Sequence, residues 1–188
     1  SIMRSLPGIT VISPADSLST IKATLAATEH NQSVYLRLTG PTPNPTVYSN
    51  DFDFKIGKSN TLIENGDDIA LVSCGSMVSN SVEVINLLKK RKVGASLFDM
   101  HTIKPIDRDV LKKINKNFKL LVTFEEHSII GGLGSAVAEY ISSLRGSIPI
   151  LALGIPDFYE TAASYSDLIS KYKLNPTQIA DRIFRKMC

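Results

Sequence analysis

Cysteine is nearly absent from the 188-residue sequence: Cys74 sits in an apolar run and Cys188 is the last residue. Neither C-x-x-C nor metal-ligand spacing occurs, which argues against a disulfide framework or a zinc module. Two isolated thiols fit a reducing compartment. No charge of one sign dominates, since 21 basic residues face 18 acidic ones for a net charge of +3. That balance is too mild to point to nucleic acid or to a membrane surface. No apolar run approaches the roughly 18 residues of a membrane span. Arg4 is followed by Pro7-Gly8 instead of an apolar signal-peptide core. Low-complexity tracts and internal repeats are also missing. A cytoplasmic protein is expected, without nucleic-acid or membrane partners. There is no methionine at residue 1, so "SIMRSLPGITVI" reads as part of a longer chain.

What is present is an ordinary globular composition, 43% hydrophobic and 21% charged. The length suggests one or two domains and is enough to bury a core without staples. "ITVISP" (Ile9 to Pro14) reads as a short strand, "ADSLSTIKATLAATE" as a helix and "SVYLRL" (Ser33 to Leu38) as a second strand. Asp16 or Ser17 can cap that helix, with Leu18, Ile21 and Leu25 at helical spacing. The crossover favours a parallel sheet. Three prolines and a glycine within Gly40 to Pro45 then forbid regular structure, so an extended linker is expected.

After it, "FKIGKSNTLIEN" reads as an exposed strand and "IALVSCG" as a buried one. "SMVSNSVEVINLLKKR" is an amphipathic helix with Val78, Val82, Ile85 and either Leu88 or Leu87 on one side. Its basic end, Lys89 to Lys92, suits the helix dipole. "GASLFDM" is another strand, "HTIKPID" a loop, and "RDVLKKINK" a short helix capped by Asp107. "FKLLVTFEE" and "IPILALGIP" are strands flanking the helix "GSAVAEYISSLR". Two helices follow, the last capped by Asn175 with Pro176 at its first position. Strands alternating with helices predict an α/β sandwich, mostly parallel.

The stretch "EEHSIIGGLGSA" (Glu125 to Ala136) joins a strand to a helix through glycines, the layout of a phosphate cradle. It lacks the G-x-G-x-x-G spacing, comes late in the domain, and has no P-loop lysine. The alternative is a tight turn whose glycines let a helix approach neighbouring backbone. Glu125, Glu126 and His127 stand at a strand's carboxyl end, where open α/β sheets place their sites. A glutamate beside a histidine can move protons or make an interface salt link. Asp99 and His101 also follow a strand. With Glu125 and His127 they could make a two-His, two-carboxylate metal set, or could simply be hydrogen-bonding partners. Arg37 could meet an anionic substrate with its planar fork or tie two domains together. His30 is expected only to cap a helix end.

Taken in order, "IMRSLPGITVISPAD", "VYLRL", "DIALVSCGSMVSNSVEVINLLKKRKVGASLFDMHTIKPID" and "EEHSIIGGLGSAVAE" resemble the carboxyl-terminal part of transketolase-like, thiamine-diphosphate-dependent enzymes. Those include transketolases, deoxyxylulose-phosphate synthases and the β subunits of 2-oxoacid dehydrogenases. The split bacterial transketolases, with a separate carboxyl-terminal subunit, are the nearest in flavour. The resemblance implies a five-stranded, mostly parallel sheet with helices on both faces, preceded by a β-α-β remnant of the pyrimidine-binding domain. It implies that residues 1–45 are the tail of that domain, 46–54 a linker and 55–188 the transketolase C-terminal domain. It further implies two-carbon ketol transfer between sugars, with the cofactor as electron sink. The family's cofactor-activating glutamate, its aromatic contact to the aminopyrimidine and its substrate histidines precede this region. Its diphosphate and Mg²⁺ site lies on another domain.

The chain is therefore expected to carry no catalytic residue, no metal ligand and no bound cofactor. Its expected partners are a second copy of itself, the amino-terminal cofactor-binding portion, and a sugar. Arg37 matches the first arginine of the family's R-x-x-R, whereas the second, linked to substrate phosphate, is Gly40 here. That puts a phosphorylated substrate in doubt. Asp99, His101, Glu125, Glu126, His127, Gly131, Gly132 and Gly134 become candidates for the subunit interface or the substrate entrance. A β-type piece of a 2-oxoacid dehydrogenase, or a non-catalytic assembly module, are the alternative readings.

Overall fold

A computed structural model describes residues 1–39, 45–159 and 162–187. The elements run α1 (Ile2–Ser5), β1 (Ile9–Ile12), α2 (Ser17–Thr28), β2 (Ser33–Leu36), β3 (Asn60–Ile63), β4 (Ile69–Ser73), α3 (Met77–Lys90), β5 (Ala95–Asp99), β6 (Thr102–Lys104), α4 (Arg108–Asn117), β7 (Leu120–Ser128), α5 (Leu133–Ile141), β8 (Ile150–Ile155), α6 (Tyr165–Lys171) and α7 (Pro176–Met187). Five strands form the main sheet in the order β3-β5-β4-β7-β8, and three form a smaller sheet, β2-β1-β6. In the main sheet only β3 runs antiparallel to its neighbour. The predicted five-stranded, mostly parallel sheet is thus present.

Both faces of that sheet are covered, and β4 shows why its sequence reads as one apolar run. Ile69 and Leu71 join Ile85 and Leu88 of α3 and Ile179 and Ile183 of α7 in one core. Ala70 and Val72 point the other way, to Leu111 and Ile114 of α4 and Val137 and Ile141 of α5. Successive residues of a strand face opposite sides, so a strand buried on both must be apolar throughout. Val78, Ile85 and Leu88 are buried while Leu87 is only partly so, which settles the face of α3. The predicted caps are in place: Asp107 accepts from the amides of Asp109 and Val110, and Asn175 from that of Gln178.

Two expectations are corrected. "HTIKPID" is not all loop, because Thr102–Lys104 forms β6 and pairs antiparallel with β1. This stitches the amino-terminal sheet onto the larger unit. The stripe Leu18, Ile21, Leu25 is not buried as a unit: Leu18 packs against the Ala15, Tyr48 and Val78 cluster, but Ile21 is 58% and Leu25 61% exposed, and α2 buries Ser19 and Ala23.

The segment that follows Pro45 is held in several places. Asp16 caps α2 through Ser19 and also accepts from the amides of Val47 (2.9 Å) and Tyr48 (2.8 Å). Burial works to raise its pKa, but the amides of Tyr48, Ser19 and Val47 outweigh that and hold it low. Tyr48 stacks on Phe52 at 3.7 Å, and Phe54 stacks on His101 at 4.1 Å.

Candidate functional site

In the main sheet the connections diverge at β4. α3 carries the chain to β5 on one side, whereas α4 carries it back across to β7 on the other. Such a switch point opens a crevice at the carboxyl ends of the two strands. A cavity of about 370 Å³ lies there, between this edge and the smaller sheet. Cys74 follows β4, Glu125, Glu126 and His127 end β7, and Tyr35 and Arg37 come from the β2 side. Sequence spacing alone could not join Arg37 to Glu126. The structure does so, since Arg37 Nη2 donates to the Glu126 carbonyl at 3.0 Å.

Glu125 resolves the glycine loop. Its carboxylate accepts from the amides of Leu133 (2.7 Å) and Gly134 (2.8 Å), the first residues of α5. The helix amino terminus, where an anion is favoured, is occupied by the chain's own carboxylate. Gly132 makes room for it, and Gly134 lets α5 lie close to Thr123 and Ala152. A Cβ on Gly132 would lie 2.0 Å from Glu125 Oε2, and one on Gly134 would lie 2.9 Å from Thr123 Oγ1. Gly131 supplies the left-handed turn, φ 76°. Burial pushes the Glu125 pKa up, and the Gly134 and Leu133 amides oppose it.

Glu126 faces differently. Its Oε2 accepts from Ser76 Oγ and from Tyr165 Oη, the latter at 2.9 Å. Ser76 precedes α3 yet makes no capping bond with its side chain, which is turned to Glu126. Burial first, then the bond to Glu126, pushes the Tyr165 phenol up to about 12. His127 is half-buried, with Nδ1 2.8 Å from the Ser128 carbonyl and Nε2 3.1 Å from the Ser1 amine. Burial holds the Cys74 thiol well above its usual range. Sequence reasoning misses both Ser76 and Tyr165. Ser76 has a signal, its place just beyond the carboxyl end of a strand; Tyr165 has none.

Asp99 and His101 go elsewhere. Tyr48 Oη donates to Asp99 Oδ2 at 2.6 Å, and Asn60 Nδ2 donates to Tyr48 Oη. Phe54 covers His101, whose Nδ1 lies 3.0 Å from Thr102 Oγ1. Both residues are sealed, and Asp99 Oδ1 and His101 Nε2 have no partner among the described residues. Burial raises Asp99 to about 7 and lowers His101 to about 4. The two-His, two-carboxylate set is therefore not assembled. No group of three or more His, Cys, Asp or Glu among the described residues could hold a metal ion. His30, expected as a simple cap, places Nε2 3.0 Å from Thr10 Oγ1 of β1. Gly40, the slot of the second arginine, lies outside the described residues. No helix among the described residues is long and apolar enough to cross a membrane.

The chain is similar in sequence and fold to known proteins. A Methanocaldococcus jannaschii protein named for a transketolase C-terminal section is 35% identical over the whole chain, which covers 58% of that protein. One subunit of the apulose-4-phosphate transketolase of Phocaeicola vulgatus is 31% identical over 93% of the chain and 55% of its own length. The chain thus spans little more than half of these relatives. A solved split-gene transketolase, an inactive β4 tetramer, superposes with a TM-score of 0.90 at 34% identity, over 99% of this chain and 59% of that one. The family model described as "Transketolase, C-terminal domain" matches residues 57–179. The chain belongs to the transketolase C-terminal domain family.

Proposed function

We propose that this chain is the carboxyl-terminal piece of a thiamine-diphosphate-dependent transketolase that transfers a two-carbon ketol unit between sugars. The observation that carries the reading is the near-complete superposition on the split-gene transketolase chain, together with how much of that chain lies beyond the match. In this reading residues 1–45 end the pyrimidine-binding domain, 46–54 link, and 55–188 form the C-terminal domain. The piece supplies scaffold and subunit interface in cytoplasmic carbohydrate metabolism. It works with a second copy of itself and with an amino-terminal, cofactor-binding portion. The related split-gene structure, a tetramer of β chains that is inactive, supports both needs.

Thiamine diphosphate, when bound to the complete enzyme, supplies the carbanion chemistry. The described residues do not fit its diphosphate and Mg²⁺. The helix terminus that could hold a phosphate is filled by Glu125, and metal ligands do not converge. No step is therefore assigned to the cofactor on this chain. Arg37 is the residue we place at the substrate. One of its amino groups is held by the Glu126 carbonyl, which fixes the guanidinium at the cavity lining. Glu126, His127 and the Gly131–Gly134 turn shape the entrance.

The test is donor choice by the parent enzyme. Ketose donors should support transfer to an aldose, and 2-oxoacids with a lipoyl-protein acceptor should not. Turnover of 2-oxoacids alone would overturn the assignment.

A further inference from the structure

A second concavity, of about 890 Å³, lies between the β6–α4 turn and α5. Among the described residues it shares only Arg4 and Ile103 with the strand-end cavity. Pro105, Ile106 and Ala136 make part of its surface apolar, and the Tyr140 ring stands at one side.

Its charges do not cancel. Two carboxylates line it, Glu139 and Asp109. Glu139 is paired with Arg4, and Asp109 with Lys58 at 2.7 Å. Asp107, just before α4, has both oxygens committed to Ser59, Asp109 and Val110. Lys104 and Arg108 are left without a carboxylate among the described residues. Lys104 Nζ donates to the carbonyls of Arg4 and Leu6, which fix its position and leave its charge uncompensated. The Arg108 guanidinium stands 5.4 Å from the Tyr140 ring centroid. A guanidinium beside an aromatic ring, with an ammonium and apolar side chains lining the same concavity, suits a ligand with an anionic end and a flat body.

We propose that this groove binds a small anion with a flat aromatic body, such as a nucleoside monophosphate. The anionic end meets Lys104 and Arg108. The flat body lies against Tyr140 and Pro105.

The test is a titration of adenosine monophosphate into the ¹⁵N-labelled full chain, followed by amide shifts, with inorganic phosphate in a parallel arm. Saturable shifts are expected at Lys104, Ile106, Tyr140 and Ser143, weakening as salt is added. The monophosphate should bind about tenfold more tightly than phosphate, and Arg108→Gln should lose about tenfold in affinity. Arg108 is exposed, so this variant is expected to fold, and Lys104→Gln gives an independent second probe. Three results would each overturn the proposal: no saturable shifts, shifts confined to Arg37, Glu126 and His127, or unchanged affinity in Arg108→Gln. Equal affinity for phosphate and the monophosphate would overturn it as well, since no flat body would then be recognised.

Discussion

Two strand ends of the main sheet carry the same chemistry and meet opposite fates. β5 ends in Asp99, with His101 two residues on, and the last part of β7 carries Glu125 and His127 at the same spacing. At the first, Tyr48 and Phe54 close over the pair, and one oxygen and one ring nitrogen are left without partners among the described residues. At the second, the pair lines an open cavity and Glu125 has both oxygens satisfied by helix amides. Residue type and position in the strand do not distinguish them. The segment from Tyr48 to Phe54 does, by lying over one end and not the other.

The satisfied end should be the one most easily broken sterically. Gly132→Ala places a carbon in the space of the Glu125 carboxylate and should cost about 3 kcal/mol in denaturant unfolding. Glu125→Ala alone leaves two buried amides bare, for about 2 kcal/mol. The double variant should cost less than the two added together, since removing the carboxylate removes the clash. Strict additivity would mean that Glu125 is not what the glycine makes room for.

The sealed end should be read by pH. Asp99 holds its proton more tightly when folded, so its contribution to stability falls as pH rises from the ordinary 3.8 to about 7. His101 holds its proton less tightly when folded, so its contribution grows as pH rises from about 4 to 6.5. The two oppose one another over most of that window. Asp99→Asn should expose the rising slope of His101 and stabilise the protein at neutral pH. His101→Gln should expose the falling slope of Asp99. Identical pH profiles for both variants would contradict this assignment of the buried charges.

At the open end the effects should be functional more than structural. In the parent enzyme, Arg37→Met should raise KM for the ketose donor about tenfold, the scale of one charge-assisted hydrogen bond. An unchanged KM would leave Arg37 only as a tie to Glu126. The smallest effect is expected from Tyr165→Phe, which removes one bond to Glu126 and should cost about 0.5–1 kcal/mol by thermal unfolding.

Much of the fold is legible in the sequence because apolar runs and caps act locally. β4 reads as buried on both faces, and Asp107 and Asn175 announce their helices. β6 is not legible, because three residues before a proline carry no pattern and their partner, β1, is about ninety positions away in sequence. The exposed Ile21 and Leu25 show the converse, since helical spacing of apolar residues does not reveal what covers them. In the candidate site, the glycines are legible as a close-approach device, but not that the approaching group is Glu125. Burial of Asp99 by Tyr48 has no signal at all, because an aromatic in an irregular segment can pack anywhere.

The central claim is that the glycine turn serves the chain's own carboxylate and that the cofactor is held by another portion of the enzyme. Calorimetric titration of thiamine diphosphate with Mg²⁺ tests it most directly, with this chain alone and then with the amino-terminal portion added. The prediction is no tight binding to the chain alone and Mg²⁺-dependent binding once the portion is present. Tight, Mg²⁺-dependent binding to these 188 residues by themselves would contradict it.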